Sequence, residues 1–383
     1  MTPLMRAIAC DHSTPETVRV LLEHGSDPKI KSRAGEDAYD WAKKFRVPEI
    51  LSAMKIDAPD PRTAVFTAAK NMDSRIALQK SVALLQKSTT GFFTQSACFA
   101  CHAQNMTSLA VTAARTNGIA VDERAAAEQT KVVKFGWREF EQPMLQRSFP
   151  LNPDLKAYAL LGMSAASYPA DRTTDAIVFG LAAEQRATGE WTLRATTARP
   201  PMQDGNFSRT ALAIRALRTY GMAARKAEFD DRVARAKSWL MSSKAVTTED
   251  RNMKLLGLKW AGADDAVVKE LAGEIVNRQR ADGGAQTQYL DSDAYATGES
   301  LYALQAAGVS PRANAYERGT AYLLSTQLED GSWRVTSRSP KLQPYFESGF
   351  PHGHDQWISA TATAWAVVAL APTVRRAPEM AER

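Results

Sequence analysis

The sequence predicts an all-α protein: an (α/α)6 toroid preceded by a partial helical repeat segment. Two observations predict it. Six segments between residues 106 and 372 are rich in small and aliphatic residues, poor in charge, and stopped by Gly or Pro. Amphipathic helices alternate with them. A helix that is apolar all round needs burial on every side, whereas one with a single apolar stripe covers such a helix from outside. Six alternations therefore give six inner helices ringed by outer ones.

The elements follow in chain order. Residues 1–58 hold Thr2-Pro3-Leu4-Met5-Arg6-Ala7, then Val18 to Leu22, then the turn Glu23-His24-Gly25-Ser26-Asp27-Pro28. A weaker second copy begins at Gly35-Glu36-Asp37-Ala38-Tyr39-Asp40-Trp41-Ala42. Ala7 and Ala42 stand about one ankyrin period apart, which is about 33 residues, and the segment resembles ankyrin repeats. That resemblance implies helix–turn–helix units and a surface for a protein partner. Two such units leave apolar faces open. Met1 stands where the first repeat opens, so the expectation is a truncated array whose missing part carried any signal peptide. Residues 59–66, with Pro59 and Pro61, read as a linker. The toroid is assigned to residues 67–373 and a tail to 374–383.

Within the toroid the inner segments are Met106 to Gly118, Ala157 to Ser167, Ser208 to Gly221, Met253 to Gly262, Ala294 to Gly308 and Ile358 to Pro372. The outer ones are Ala125 to Phe140, Asp175 to Gln185, Phe229 to Met241, Asp265 to Arg280 and Ala315 to Gln327. Thr210, Thr297 and Thr363 precede Leu217, Leu304 and Leu370 by the same interval, which sets a common register. With Leu161 and Leu258, these leucines are expected to be buried. Three loops repeat as well. Gln185, Gly189 and Trp191 share one spacing with Gln327, Gly331 and Trp333, and Gln279 and Gly283 repeat it with Ala285 in the tryptophan position. Over about residues 67–373 the chain resembles the squalene-hopene cyclase and protein prenyltransferase superfamily, whose toroids carry this Q-x-x-x-G-x-W motif. The resemblance implies a cavity for an apolar, isoprenoid-like molecule. It implies a structural role for the motifs, the glutamine capping a helix end and the tryptophan packing between hairpins.

The superfamily's chemistry transfers less well. In the threonine register, Asp293-Ala294-Tyr295-Ala296-Thr297 lies over the cyclases' D-x-D-D-T, with Tyr295 at the proton-donating acid. A phenol of pKa about 10 is a far weaker acid than a carboxyl group. Shifting the register so that Asp291-Ser292-Asp293 covers D-x-D restores a donor and breaks the threonine alignment. Asp293, Asp291 and Tyr295 are the candidate catalytic residues. The prenyltransferases' zinc site requires D-x-C and a histidine, against Asp293-Ala294-Tyr295 and Ala362 here, so no zinc is expected.

Cys98-Phe99-Ala100-Cys101-His102 contains two of the three cysteines. C-x-x-C-H is the attachment signature of haem c: two thiols one helical turn apart bond the porphyrin vinyl groups, and the next histidine reaches the iron. A labile disulfide or half a metal site is the plainer alternative, and a redox motif would require a βαβ setting. Cys98, Cys101 and His102 are thus the expected haem-binding residues, with His102 the proximal ligand. The sixth loop, Tyr345 to Trp357, carries His352 and His354; either is a candidate distal ligand, and the alternative is a turn-rich solvated loop. A haem protein of this kind also resembles bacterial prenyltransferase/squalene-oxidase repeat proteins with a C-x-x-C-H ahead of the toroid.

The net charge of +6 is scattered, without a basic run interleaved with aromatics, which argues against a nucleic-acid partner. No stretch has the length of a membrane span, so an integral membrane protein is not expected. Three functions follow: haem-dependent or redox chemistry on an apolar molecule, a terpene cyclase-like isomerase without haem, or a non-catalytic binding module whose ankyrin repeats recruit a partner. Haem attachment implies a periplasmic or otherwise extracytoplasmic protein; without it the expectation is cytoplasmic.

Overall fold

The computed structural model describes residues 2–9, 14–32, 35–45, 47–57, 73–96, 100–148, 152–193, 199–286, 290–339 and 347–374. The chain opens with α1 (Pro3–Ala9), α2 (Pro15–Glu23), α3 (Ala38–Phe45) and α4 (Pro48–Ala53). They pack as two stacked hairpins over Leu4, Met5, Val18, Trp41 and Ile50. The Thr2 hydroxyl accepts from Met5 N–H at 3.2 Å and starts α1. Leu290 of the following region packs on this small core. The expected linker, 59–66, lies outside the described residues.

Thirteen helices follow among the described residues. They are α5 (Ser74–Ser96), α6 (Met106–Thr116), α7 (Glu123–Arg138), the short α8 (Glu141–Leu145), α9 (Pro153–Ala165), α10 (Arg172–Ala182), α11 (Asn206–Tyr220), α12 (Lys226–Ser242), α13 (Thr248–Trp260), α14 (Asp265–Asn277), α15 (Ala294–Ala306), α16 (Asn314–Thr326) and α17 (Gln356–Leu370). Helices α6, α9, α11, α13, α15 and α17 each pack on the next, and α17 packs back on α6. Outside them α5, α7, α10, α12, α14 and α16 each bridge two neighbouring inner helices. This closed double ring is the (α/α)6 toroid, and the inner and outer segments named from the sequence fall on these helices. No helix among the described residues is long and apolar enough to cross a membrane.

Burial explains the division. Every residue of α17 from Ile358 to Leu370 is buried, whereas α12 buries only Phe229, Val233, Ala236 and Leu240. Leu161, Leu217, Leu258, Leu304 and Leu370 are all buried, none more than 4% exposed. Small residues let the inner helices approach. A Cβ on Gly298 would meet the Trp365 backbone at 2.7 Å, so α15 and α17 touch through bare backbone.

The repeated loops tie hairpin to hairpin. Gln185 donates to the carbonyls of Gly189 and of Arg232 on the next outer helix, both at 2.8 Å. Gln279 bonds Gly283 and Ala315 in the same way, at 2.7 Å each. Gln327 bonds Gly331 at 3.2 Å and Ala77 of α5 at 3.1 Å. The glutamine therefore holds two carbonyls across a hairpin boundary rather than capping a helix end, which corrects the expectation. The register threonines belong to the same device: Thr210, Thr297 and Thr363 accept the backbone N–H of Trp191, Ala285 and Trp333 at 3.1, 2.9 and 3.2 Å.

Gly331 has φ +89° and sits against α5, where a Cβ would stand 2.6 Å from Lys80 Cβ. Gly331→Ala should therefore lose more than the ~1–3 kcal/mol of backbone strain alone. Gly118→Ala, with φ +73° and open space around it, should lose strain energy only. Urea unfolding of both variants tests the ordering.

Candidate functional site

Each inner helix is reached through an outer one, so the six inner N-termini gather at one mouth. Their unpaired N–H groups and aligned dipoles favour acidic side chains there. Asp154 lies in the first turn of α9, Asp250 completes a capping box with Thr247 on α13, and Asp293 caps α15 by accepting from Ala296 N–H at 2.8 Å. Asp355 stands at the start of α17, but its carboxylate accepts from Arg334 and from Ser337 N–H, fixing the preceding loop instead of capping the helix.

The segment ahead of α11 crosses this mouth. Arg209 is fully buried; its Nε donates to Asp154 Oδ2 at 2.9 Å, and its Nη atoms donate to the carbonyls of Gln203 and Gly205. Burial holds the Asp154 pKa above the ordinary carboxylate value even beside Arg209. Pinned in this way, Gln203 directs Nε2 towards Cys101 Sγ at 3.7 Å and accepts from Arg199 Nε at 2.8 Å. Arg199 in turn lies over the Trp357 ring.

Cys101 and His102 enter α6 through one widened π-type turn, Cys101–Asn105. Such turns recur at functional sites. Cys101 is buried. The His102 ring meets Phe92 edge-on at 5.4 Å and Trp357 at 5.9 Å, and no hydrogen bond engages either ring nitrogen among the described residues. Burial, helped by the Arg199 charge, pushes its pKa down to about 3, so the imidazole is neutral. Cys98 lies outside the described residues.

The sixth loop puts Trp357, not a histidine, against His102. His352 adopts a left-handed φ of 85° and shares a 2.8 Å bond with Ser332 Oγ; burial lowers its pKa. His354 is exposed.

The three candidate catalytic residues are separated. Asp291 is exposed and Asp293 is the α15 cap. Tyr295 is buried, and its hydroxyl donates to Glu249 Oε2 at 3.1 Å. That contact leads to groups the sequence reading missed. Glu249 of α13 and Glu299 of α15 are both buried, 3% and 0% exposed, and their carboxyl groups lie within hydrogen-bonding reach of each other. Asn252 Nδ2 donates to Glu299 Oε2 at 2.9 Å. Among the described residues neither Oε1 atom has a hydrogen-bond donor. Two buried carboxyls in contact cannot both ionise, so the pair holds a proton: desolvation first, then mutual repulsion, drives the Glu249 pKa up, and burial raises Glu299. Tyr158 on α9 faces the same pair, which with burial raises its own pKa. For Glu299 the available signal was an acidic residue inside a charge-poor inner segment.

No family model matches the chain, and no curated protein sequence matches it. Among solved structures it is similar to the apo type II terpene cyclase MstE from Scytonema, at TM-score 0.46 and 14% identity, covering 79% of this chain and 98% of that one. It is also similar to an arginine-to-alanine variant of that enzyme in complex with the substrate geranylgeranyl dihydroxybenzoate, at TM-score 0.45 and 12% identity, covering 78% and 99%. The toroid rests on the ring of helix contacts above and needs no support from these likenesses.

The carboxyl pair sets a pH dependence. The folded pair binds protons more tightly than the unfolded chain, whose glutamates titrate near 4.5. The native state therefore carries more protons, and stability falls as pH rises from about 4.5 through the raised folded value. Glu299→Gln supplies a fixed N–H in place of the shared proton and keeps an acceptor for Asn252. Urea midpoints across this range should fall less steeply for Glu299→Gln than for the parent.

Proposed function

We propose that this protein carries a covalently attached haem c at the mouth of the toroid and uses it in redox or haem-dependent chemistry on an apolar, isoprenoid-like molecule. The observation that carries the reading is the placement of the His102 imidazole: directly after a buried cysteine, walled by Phe92 and Trp357, and without a hydrogen-bond partner among the described residues. The donor set fits the group. Neutral imidazole is the form that binds iron, and thiols at Cys98 and Cys101 are the pair that thioether attachment requires. When bound, the haem supplies one-electron or small-molecule chemistry. The chain's own contribution is to hold His102 uncharged, to place the Arg199 cation beside the mouth, and to keep water from the ring interior. His352 or His354 remains our proposed distal ligand. Attachment of this kind takes place outside the cytoplasm, so the reading carries a periplasmic location. The two N-terminal hairpins are proposed as ankyrin repeats that dock a protein partner.

Protein co-produced with a cytochrome c maturation system should keep its Soret band through acidic acetone extraction, and Cys101→Ser should weaken or abolish that retention. Colourless protein with both thiols free overturns the haem reading.

The Glu249–Glu299 pair favours a second reading: acid-catalysed isomerisation of an apolar alkene, in which a carboxyl proton adds to a C=C bond and the resulting cation returns a proton from carbon. This moves the acid role from Asp293 and Asp291 to the protonated pair. Incubation with squalene or a prenyl alcohol should then give an isomer of unchanged mass with the parent and at least about tenfold less with Glu299→Gln. Equal yields from the two proteins exclude the reading.

A further inference from the structure

The third motif loop departs from its siblings at one side chain. Trp191 and Trp333 are buried and donate Nε1–H to the carbonyls of Leu181 and Leu323, at 2.7 and 2.9 Å. Each indole fills the space between its outer helix and the inner helices behind it. Ala285 keeps every other part of the device: its N–H reaches Thr297, and Gln279 holds Gly283 and Ala315. The frame is intact and the indole is absent.

A cavity of about 330 Å³ lies there, lined among others by Ile275, Gln279, Ala285, Thr297, Leu301 and Leu304. This is within the ~300–1,000 Å³ of small-molecule sites. Ile275 precedes Ala285 by the same interval that separates Leu181 from Trp191 and Leu323 from Trp333. The vacated indole position is therefore one wall of the cavity.

Charge specifies the rest of the occupant. Arg251 and Arg278 both line the cavity. Arg251 is half-buried, has no ion pair or side-chain hydrogen bond among the described residues, and its pKa is lowered by burial and by the Arg278 charge. Of the two acids whose charges also reach Arg251, Asp250 is committed to the capping box of α13, and Glu274 is exposed and forms no ion pair with it among the described residues. Two guanidinium groups of like charge facing one cavity are suited to an anion, which Arg binds through paired N–H donors. At the inner end lie Asn252 and Ser300, bonded to each other, with Asn252 also holding Glu299.

We propose that this vacated tryptophan site binds a planar aromatic carboxylate, its ring system in the space an indole fills in the sibling loops and its carboxylate on Arg251 and Arg278. The site is separate from the Cys101–His102 mouth and rests on neither functional reading. Indole-3-acetate is the probe and uncharged 3-methylindole the control, both titrated calorimetrically into the full chain. Saturable binding of indole-3-acetate is expected, tighter than 3-methylindole by at least about tenfold. Ala285→Trp should raise the unfolding midpoint and abolish binding of both compounds. Arg251→Gln should weaken indole-3-acetate by about tenfold and leave 3-methylindole unchanged. If Ala285→Trp does not fold, Ala285→Leu, which fills the cavity in part, is expected to weaken both. No binding of indole-3-acetate at millimolar concentration overturns the proposal. So does binding that survives the folded Ala285 variant, or that is insensitive to Arg251→Gln.

Discussion

Ring closure is the constraint on which everything else depends. Gln327, at the end of the last outer helix, donates to Ala77 on the first, 250 positions away, and Ser81 returns a bond to the Gly331 carbonyl at 2.6 Å. Without that seam α6 and α17 would each present an apolar flank to water, because an inner helix has no polar stripe to turn outward. Closure also fixes direction. With each inner helix reached through an outer one, all six N-termini are held at one end, and only then do Cys101, Asp154, Glu249 and Tyr295 share one interior.

That interior is not an oily tube. Arg209 with Asp154, between the inner helices α11 and α9, and Lys156 of α9 with Glu184 just past the outer helix α10, are buried ion pairs. Desolvation makes such pairs poor contributors to net stability, while loss of one partner typically costs about 3–5 kcal/mol. Their value here is positional. Arg209 reads the carbonyls of Gln203 and Gly205 and so sets where the mouth-crossing segment lies. The Glu249–Glu299 pair uses another solution to the same cost, carrying a proton in place of a counter-cation.

Much of this frame was legible in the chain. Scarcity of charge marked the inner helices, and the threonine spacing marked a register that proved to be a set of hydrogen bonds to the motif loops. The glutamine's role was not legible, because its second carbonyl lies on the next hairpin. Asp355 stands at a helix start, but position does not reveal that Arg334 and Ser337 claim its carboxylate. Glu249, Glu299, Asp154 and Arg209 escaped for a related reason. Glu299 and Arg209 are charged exceptions within segments read by their average, and Asp154 and Glu249 stand just ahead of the segments read as inner. Their partners sit on other helices, which no local pattern announces. The C-x-x-C-H motif is the reverse case: its residue identities are plain in the sequence, and the fold adds only where Cys101 and His102 stand.

In a repeat protein the informative positions are those where one copy departs from the others, since the scaffold dictates the rest. Here the departures fall in two places. One is the start of α6, where a π-type turn, a cysteine and a neutral histidine with no hydrogen bond to its ring among the described residues replace an ordinary helix entry. The other is the α13–α16 third of the ring. There Ala285 stands where its siblings have tryptophan, Arg251 faces a cavity, and Asn252 joins that cavity's wall to the Glu249–Glu299 proton. A change that served only packing would have drawn a larger residue into the indole space and kept acids off the inner helices. The chain does neither: Gln279, Gly283 and Thr297 keep the frame of the motif while its filling is gone. Stability is thus held by the motif backbone and the ring seam, which leaves the side chains of these two places free to serve chemistry.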